Sequence, residues 1–125
     1  MLENSCNPGF MTIGLRLGKE KLFQYIRNFG YGSKSGIDLL GESAGIVFNE
    51  KKIGNVELAT ASFGQGNSAT PLQIVNAGSA AINGGILHQP YILKGIGNST
   101  GMLMTKEPVE IRRVISEETS KIVAE

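Results

Sequence analysis

The residues best suited to chemistry stand together near the start of the sequence, in the run Ser5-Cys6-Asn7. Asn7 is a favourable N-cap and Pro8 suits the first helical position, so the pattern predicts that a helix begins here. Ser5 and Asn7 would then lie at a helix N-terminus, where backbone N–H groups favour negative charge. A hydroxyl and an amide each donate and accept hydrogen bonds. These side chains could therefore act on a polar substrate, or they could only cap the helix.

Other residues that could do chemistry have simpler interpretations. Cys6 could act as a thiolate nucleophile with His88 as its base, but nothing in the sequence indicates that the two meet. Asp38 and Glu42 could form an acid–base pair, although solvated turn residues or ion-pair partners are the better interpretation. With one Cys and one His in 125 residues, neither an internal disulfide nor a structural zinc site is possible.

The apolar spacing predicts two helices in the first quarter of the chain. Apolar residues recur at helical intervals over 10–17 and again over 22–29. Gly18 is expected to divide or bend this stretch, and Gly30 to end the second helix.

Later segments are shorter and less regular. In chain order we predict a glycine-rich loop at 30–45 that contains a short strand at 37–39, and then a charged turn at 51–55. An element at 58–62 could be helix or strand, and a flexible loop follows at 63–66. Further on we predict a strand at 90–94, a turn at 95–101, a strand at 110–115 and a last helix capped by Ser116.

The strongest helix start is Thr70-Pro71-Leu72-Gln73, with Thr as N-cap, Pro in the first position and Gln placed as in a capping box. This helix is predicted to run to about Asn83. It has no charged residue on any face, so we expect it to be buried on all sides. The other predicted helices are too few to cover it, which indicates that the chain is a piece of something larger.

Charge and composition exclude several classes of protein. Lys plus Arg number 12 and Asp plus Glu number 11, so a basic nucleic-acid arm or polybasic membrane patch is not expected. From Leu58 to Leu93 there is no charged residue, but polar side chains interrupt the stretch too often for a membrane span. The residues after Met1 do not have the pattern of a signal peptide, so we expect any secretion or anchoring signal to lie outside these 125 residues.

The motifs and their order resemble the transpeptidase domain of class B penicillin-binding proteins over essentially the whole chain. Ser5-Cys6-Asn7 matches the Ser-x-Asn element of penicillin-recognising serine enzymes. The resemblance is closest to the sporulation- and cell-division-type members. It is carried further by Phe29-Gly30-Tyr31-Gly32, Ser35-Gly36-Ile37-Asp38-Leu39, Gly41-Glu42, Phe63-Gly64-Gln65-Gly66, Thr70-Pro71-Leu72-Gln73 and Asn83-Gly84-Gly85.

This resemblance implies a fold and roles for four residues. The fold is α/β, a partial β-lactamase or transpeptidase-like fold, mainly its helical portion with short flanking strands, and residues 1–125 are a central fragment of it. Ser5 matches the Ser that passes a proton among the nucleophile, its Lys and the leaving amine. Asn7 matches the Asn that holds the stem peptide and positions the Lys. Phe63 and Gln65 match a loop at the active-site rim and could touch substrate, although a tight turn is the simpler interpretation.

Two family elements do not appear in these 125 residues. No Ser is followed three positions later by Lys, so there is no acylatable serine with its base. Lys34-Ser35-Gly36 spells the third element but precedes the predicted strand at 37–39 instead of following the last helix, so we interpret it as unrelated. The chain is therefore predicted to belong to a peptidoglycan D,D-transpeptidase and to be inactive alone. The alternatives are a non-catalytic protein-interaction module and a Cys–His hydrolase.

The resemblance also implies partners and a location. The parent protein would act on peptidoglycan stem peptides and bind β-lactams, without a metal or organic cofactor and without nucleic acid. It would be anchored in the bacterial cell membrane with this domain outside the cytoplasm, whereas the fragment itself would be soluble. Exposed apolar surface could make the fragment oligomerise.

Overall fold

The computed structural model describes residues 3–125 and contains both helices and short strands. The two strand pairs, β1 with β4 and β2 with β3, are antiparallel. The predicted mixed α/β class is confirmed. The elements are α1 (Asn7–Leu17), α2 (Lys19–Asn28), a 3-10 turn (Glu50–Lys52), α3 (Asn55–Ala61), α4 (Pro71–Ile82), β1 (Ile86–His88), β2 (Gly95–Asn98), β3 (Gly101–Thr105), β4 (Glu110–Arg113) and α5 (Glu117–Ala124).

The first apolar cluster lies where α2 and α3 meet. Phe23 is fully buried against Leu58 and Ala61, and Ile26 packs against this group. Burial of one such aromatic side chain contributes about 1.5–3 kcal/mol. Helix α1 packs on α3 from outside, and only Gly14 of α1 is buried.

The second cluster joins α4 to the β1–β4 pair and α5. Ala80, Leu87 and Val114 are buried together. Ser120 of α5 is also buried, and its hydroxyl donates to the Ala81 carbonyl (2.8 Å) and accepts from the Gly84 N–H (2.9 Å). One hydroxyl therefore satisfies two backbone groups at the C-terminal end of α4.

The capping box predicted at the start of α4 is confirmed and does more than cap. Thr70 Oγ1 accepts from the Gln73 N–H (3.1 Å), and Gln73 Oε1 accepts from the Thr70 N–H (3.0 Å). Gln73 is 3% exposed, and its Nε2 donates to the carbonyls of Ser33 (2.9 Å) and Ala44 (2.8 Å). This single amide ties α4 to both ends of the glycine-rich loop.

The strands predicted at 37–39 and 90–94 are wrong. Asp38 instead accepts the backbone N–H groups of Ile92 and Leu93, each at 2.9 Å. The carboxylate thus satisfies two donors that a strand at 90–94 would place in a ladder, and both segments are loops. The residues before and after 90–94 form β1 and β2 instead.

Three other boundaries differ from prediction. Cys6, not Asn7, is the N-cap of α1, and Pro8 is accommodated within the first turn. The ambiguous segment at 58–62 belongs to a helix that starts earlier, at Asn55, where Glu57 accepts the Gly54 N–H (2.8 Å) and closes the first turn. The turn predicted at 95–101 instead contains β2, the tight connection and the first residue of β3, and Ile96 of β2 pairs with Met104 further along β3.

Helix α4 is buried on one face only. Gln73, Ala77 and Ala80 face the rest of the structure. Ile74, Val75 and Ile82 are 56%, 70% and 62% exposed. The prediction of burial on all sides is therefore not met within residues 3–125. In this same part of the chain, no helix combines the length and apolar character needed to cross a bilayer.

The Asp38 contact predicts an acid-sensitive loop. The backbone N–H groups of Ile92 and Leu93 lower the pKa of the Asp38 carboxyl below its ordinary value of about 4. A lowered pKa in the folded state stabilises the fold above the unfolded pKa, and this contribution is lost as the pH falls through the folded pKa. Thermal unfolding followed by circular dichroism at about pH 6 and about pH 3 should show a larger decrease of Tm for the wild type than for Asp38→Asn. Equal decreases would contradict this role of the carboxylate.

Candidate active site

Ser5 has an unusual backbone conformation immediately before α1. Among residues 3–125 it is the one non-glycine residue with a positive φ, 48°. A left-handed conformation costs an L-residue roughly 1–2 kcal/mol, and such strain concentrates at functional sites. The backbone strain is independent of the Ser-x-Asn match, and both observations select Ser5 as a candidate functional residue.

The N-terminus of α1 is open around Ser5 and Asn7. Both side chains are exposed, and in the described part of the chain neither has a hydrogen-bond partner. The extended N-cap Cys6 makes no side-chain cap, and the first turn carries no acidic residue. The first N–H groups of α1 are therefore available to a ligand, and they favour one with negative charge.

Phe63 and Gln65 lie in a tight turn after α3. The N–H groups of both residues donate to the Thr60 carbonyl, at 3.3 and 3.0 Å. Gly66 has a φ of 86°, and a side chain there would overlap the Phe48 ring. The simpler sequence interpretation, a tight turn, is what the structure shows at 63–66. Phe63 is half-buried and Gln65 is exposed.

The structure does not bring this turn to Ser5 and Asn7 through a direct contact. Ser62, next to the turn, lies against Gly14 of α1. Gly14 is seven residues along the helix from Asn7, or about 10 Å at 1.5 Å per residue. No hydrogen bond within residues 3–125 joins Phe63 or Gln65 to Ser5 or Asn7. The substrate contacts predicted for Phe63 and Gln65 stay predictions.

A mainly apolar cavity lies away from Ser5 and Asn7. It has a volume of about 250 Å³ and mainly apolar walls, which include Ile26, Val47 and Ile74. Burial raises the pKa of Tyr31, which also lines the cavity, so its phenol stays neutral at physiological pH. None of the four predicted site residues lines it. The cavity suits the packing of an apolar group better than it suits catalysis.

The segment Lys34-Ser35-Gly36 is part of a loop built on Glu42. The Ser35 hydroxyl donates to the Glu42 carboxylate, as do the N–H groups of Ser35 (2.6 Å) and Gly36 (3.1 Å). The Ser35 hydroxyl is the main cause that lowers the pKa of the Glu42 carboxyl. This geometry agrees with our interpretation of the tripeptide as unrelated to the third catalytic element.

The other candidate groups are not assembled into sites. Asp38 and Glu42 each accept backbone N–H groups and are not hydrogen-bonded to one another as an acid–base pair, and Asp38 is exposed to solvent. Cys6 is exposed, and the His88 ring lies beside Asn83, with Nδ1 3.5 Å from Nδ2. Within residues 3–125, no group of three or more His, Cys, Asp or Glu side chains could hold a metal ion.

Gly14 is the structural residue of this region that the sequence analysis missed. A glycine inside a helix costs roughly 1 kcal/mol relative to alanine, so its presence is a signal of close packing. Here the signal is correct, because a Cβ on Gly14 would overlap Ser62 Oγ and lie 2.6 Å from Ser62 Cβ.

The family follows from comparison with known proteins. All residues from 1 to 125 match the penicillin-binding protein transpeptidase domain, and the chain belongs to this family. It is 56% identical over 123 residues to stage V sporulation protein D of Bacillus subtilis, covering 97% of this chain and 19% of that protein. It is 33% identical over 94 residues to peptidoglycan D,D-transpeptidase FtsI of Buchnera aphidicola, covering 75% and 16%.

A solved structure confirms the fold. Penicillin-binding protein 3 from Mycobacterium tuberculosis, complexed with aztreonam, matches with a TM-score of 0.86 and 33% identity, over 95% of this chain and 27% of that one. The chain spans about a fifth of the length of the curated relatives it matches. The resemblance to the transpeptidase domain, the partial transpeptidase-type fold and the likeness to sporulation- and division-type members are confirmed.

Proposed function

We propose that this chain is the central part of a peptidoglycan D,D-transpeptidase domain and supplies its Ser5-Cys6-Asn7 element. The observation that carries the proposal is the strained backbone of Ser5 at the open N-terminus of α1. The family match over the whole chain supports it, because the strained residue is the one that the Ser-x-Asn pattern selects.

In this proposal Ser5 moves a proton during acyl transfer. The nucleophilic serine and its lysine lie in the rest of the domain. When that serine attacks the penultimate carbonyl of a D-Ala-D-Ala stem peptide, its proton passes through the lysine to the Ser5 hydroxyl. Ser5 in turn donates a proton to the amine of the departing D-alanine. A hydroxyl suits this step because it accepts and donates at once.

Asn7 holds the substrate in the same proposal. Its amide presents a fixed donor and a fixed acceptor, which can pair with the backbone of the stem peptide and orient the catalytic lysine. Phe63 and Gln65 are proposed as minor substrate contacts at the rim. β-Lactams would acylate the same serine, and no metal, organic cofactor or nucleic acid is required. The parent protein would be anchored in the bacterial cell membrane with this domain outside the cytoplasm.

A chimera tests this function. The 123 matching residues of the B. subtilis protein are replaced by the corresponding residues of this chain, and the purified chimera is incubated with benzylpenicillin. Intact mass spectrometry should show one penicilloyl adduct, as for the unaltered B. subtilis protein. A folded chimera that gains no adduct would refute the proposal.

The chain alone is predicted not to react. Because its 125 residues contain no Ser followed by Lys at the third position, no serine has the base that its activation requires. Intact mass spectrometry after incubation of the isolated chain with benzylpenicillin should show the unmodified mass. A penicilloyl adduct on this chain would contradict the proposal that the nucleophilic serine lies in the rest of the domain.

The exposed face of α4 favours a second candidate, a non-catalytic interaction module that pairs with another copy. Ile74, Val75 and Ile82 together form an apolar stripe of the kind that marks an interface. Sedimentation velocity of the isolated chain separates the two functions when combined with the chimera. A concentration-dependent dimer that Val75→Lys abolishes, together with an unreactive chimera, would favour the module.

A further inference from the structure

The contact between Gly14 and Ser62 fixes α1 against α3. A Cβ on residue 14 would overlap Ser62 Oγ and lie 2.6 Å from Ser62 Cβ, yet it would lie 3.7 Å from Ser62 Cα. The two helices therefore approach as closely as a glycine permits. The obstacle to a larger residue is the Ser62 side chain and not the backbone of α3.

The two sides of this contact are not equally anchored. Helix α3 is held in the first apolar cluster by Leu58 and Ala61, and Ser62 Oγ donates to the Leu58 carbonyl (2.7 Å). In α1 only Gly14 is buried, whereas Ile13 and Leu15 are 51% and 46% exposed. We expect a clash at this point to move α1 more than α3, because α3 contributes two buried apolar residues to the first cluster and α1 contributes none.

Movement of α1 is transmitted to its N-terminus. The helix is 11 residues long and has continuous hydrogen bonding, so it moves as a short rod. Asn7 is its first residue, and Ser5 is joined to it through the extended N-cap Cys6. Catalytic groups misplaced by about 1 Å can lose about 100-fold in rate.

We propose that Gly14 and Ser62 are positioning residues, whose contact sets where α1 presents Ser5 and Asn7. The roles of Ser5 and Asn7 in catalysis rest on the proposed function, but the positioning contact itself can be tested without activity. Neither Gly14 nor Ser62 touches substrate in this proposal.

Four variants separate positioning from stability. Gly14→Ala creates the clash. Adding Ser62→Ala leaves a Cβ 2.6 Å away, so the clash persists, whereas adding Ser62→Gly leaves the nearest atom at an ordinary 3.7 Å. Gly85→Ala is a destabilising control away from α1, because its Cβ would overlap the Ile115 carbonyl and its φ of 89° disfavours a side chain.

Cys6 provides a position-specific probe in the 125-residue chain. It is the sole cysteine, it is exposed, and it stands between Ser5 and Asn7. A trifluoromethyl label on its thiol is observed by 19F NMR. Gly14→Ala should shift the resonance, Ser62→Gly should restore it in the double variant, and Ser62→Ala should not. Gly85→Ala should leave it in place while lowering Tm. No shift in Gly14→Ala, an equal shift in Gly85→Ala, or no restoration by Ser62→Gly would each overturn the proposal.

The chimera links the contact to chemistry. Gly14→Ala should slow penicillin acylation about 10- to 100-fold per folded molecule, and Ser62→Gly should restore the rate, while Gly85→Ala leaves it near the wild-type value. If Gly14→Ala shifts the Cys6 resonance but leaves the rate of penicillin acylation unchanged, the proposed link between the position of α1 and the acylation rate is wrong. If the wild-type chimera is not acylated, the proposed function fails, and the Cys6 resonances still decide whether the contact positions α1.

Discussion

Replacing Ser5 by alanine in the chimera is expected to slow penicillin acylation by about 100- to 10,000-fold, the usual contribution of a positioned proton donor and acceptor. Alanine keeps a Cβ, and with it the strained backbone, but lacks the hydroxyl that relays the proton in the proposed function. Stopped-flow acylation kinetics over a range of penicillin concentrations should show the loss mainly in the limiting acylation rate constant, with little change in the dissociation constant of the initial complex.

Two further substitutions make this result specific. Ser5→Gly should lose the same activity, yet it should stabilise the chain by roughly 1 kcal/mol, because glycine adopts a φ of 48° without the penalty. Ser99→Ala, in the exposed β2–β3 turn, should leave both rate and stability unchanged. An acylation rate within a few-fold of wild type in Ser5→Ala would contradict the proposed relay.

Gln73→Leu is expected to destabilise the fold by about 3 kcal/mol, since each buried polar group left unsatisfied costs about 1–3 kcal/mol. The substitution removes the amide that donates to the Ser33 and Ala44 carbonyls and accepts the Thr70 N–H. Leucine has a similar volume, so the loss comes from hydrogen bonding more than from packing. Urea unfolding of the 125-residue chain, followed by circular dichroism, measures it.

Gln65→Leu is the matched control for this experiment. It makes the same chemical change at an exposed glutamine whose side chain is outside the core, so stability should change by no more than about 0.5 kcal/mol. Equal losses in the two variants would show that Gln73 does not hold the glycine-rich loop.

The elements that were predictable from sequence are those whose signals are local. Thr70, Pro71 and Gln73 lie within one helical turn and determine the start of α4 by their own hydrogen bonds. Ser116 likewise caps α5 by accepting the Thr119 N–H (3.1 Å), and Gly18 divides α1 from α2 as expected. The Ser-x-Asn match also depends on three adjacent residues only, and the catalytic role that it implies stays a prediction.

The elements that were mispredicted depend on distant partners. The segments at 37–39 and 90–94 have strand-like composition, but Asp38 takes the backbone donors of Ile92 and Leu93, 54 and 55 residues away. The tertiary hydrogen bonds of Gln73 are of the same kind, since they reach carbonyls 40 and 29 residues away. No local pattern in the sequence encodes such pairs.

The candidate site was predictable in its residue types but not in its geometry. The left-handed backbone of Ser5 and the close approach of Gly14 to Ser62 become visible only in the folded chain. The first feature concerns the residues that α1 presents at its N-terminus, and the second concerns how α1 packs on α3. Of the two, only the close approach of Gly14 to Ser62 has a signal in the sequence, namely a glycine inside a helix.

The most direct test of the account is D-alanine release by the chimera from a stem peptide ending in D-Ala-D-Ala, in the presence of an amine acceptor. We predict one D-alanine released for each cross-linked product formed, and loss of both products in Ser5→Ala. A folded chimera that releases no D-alanine, or one in which Ser5→Ala releases it at the wild-type rate, would contradict the assignment of this chain to the catalytic domain through Ser5.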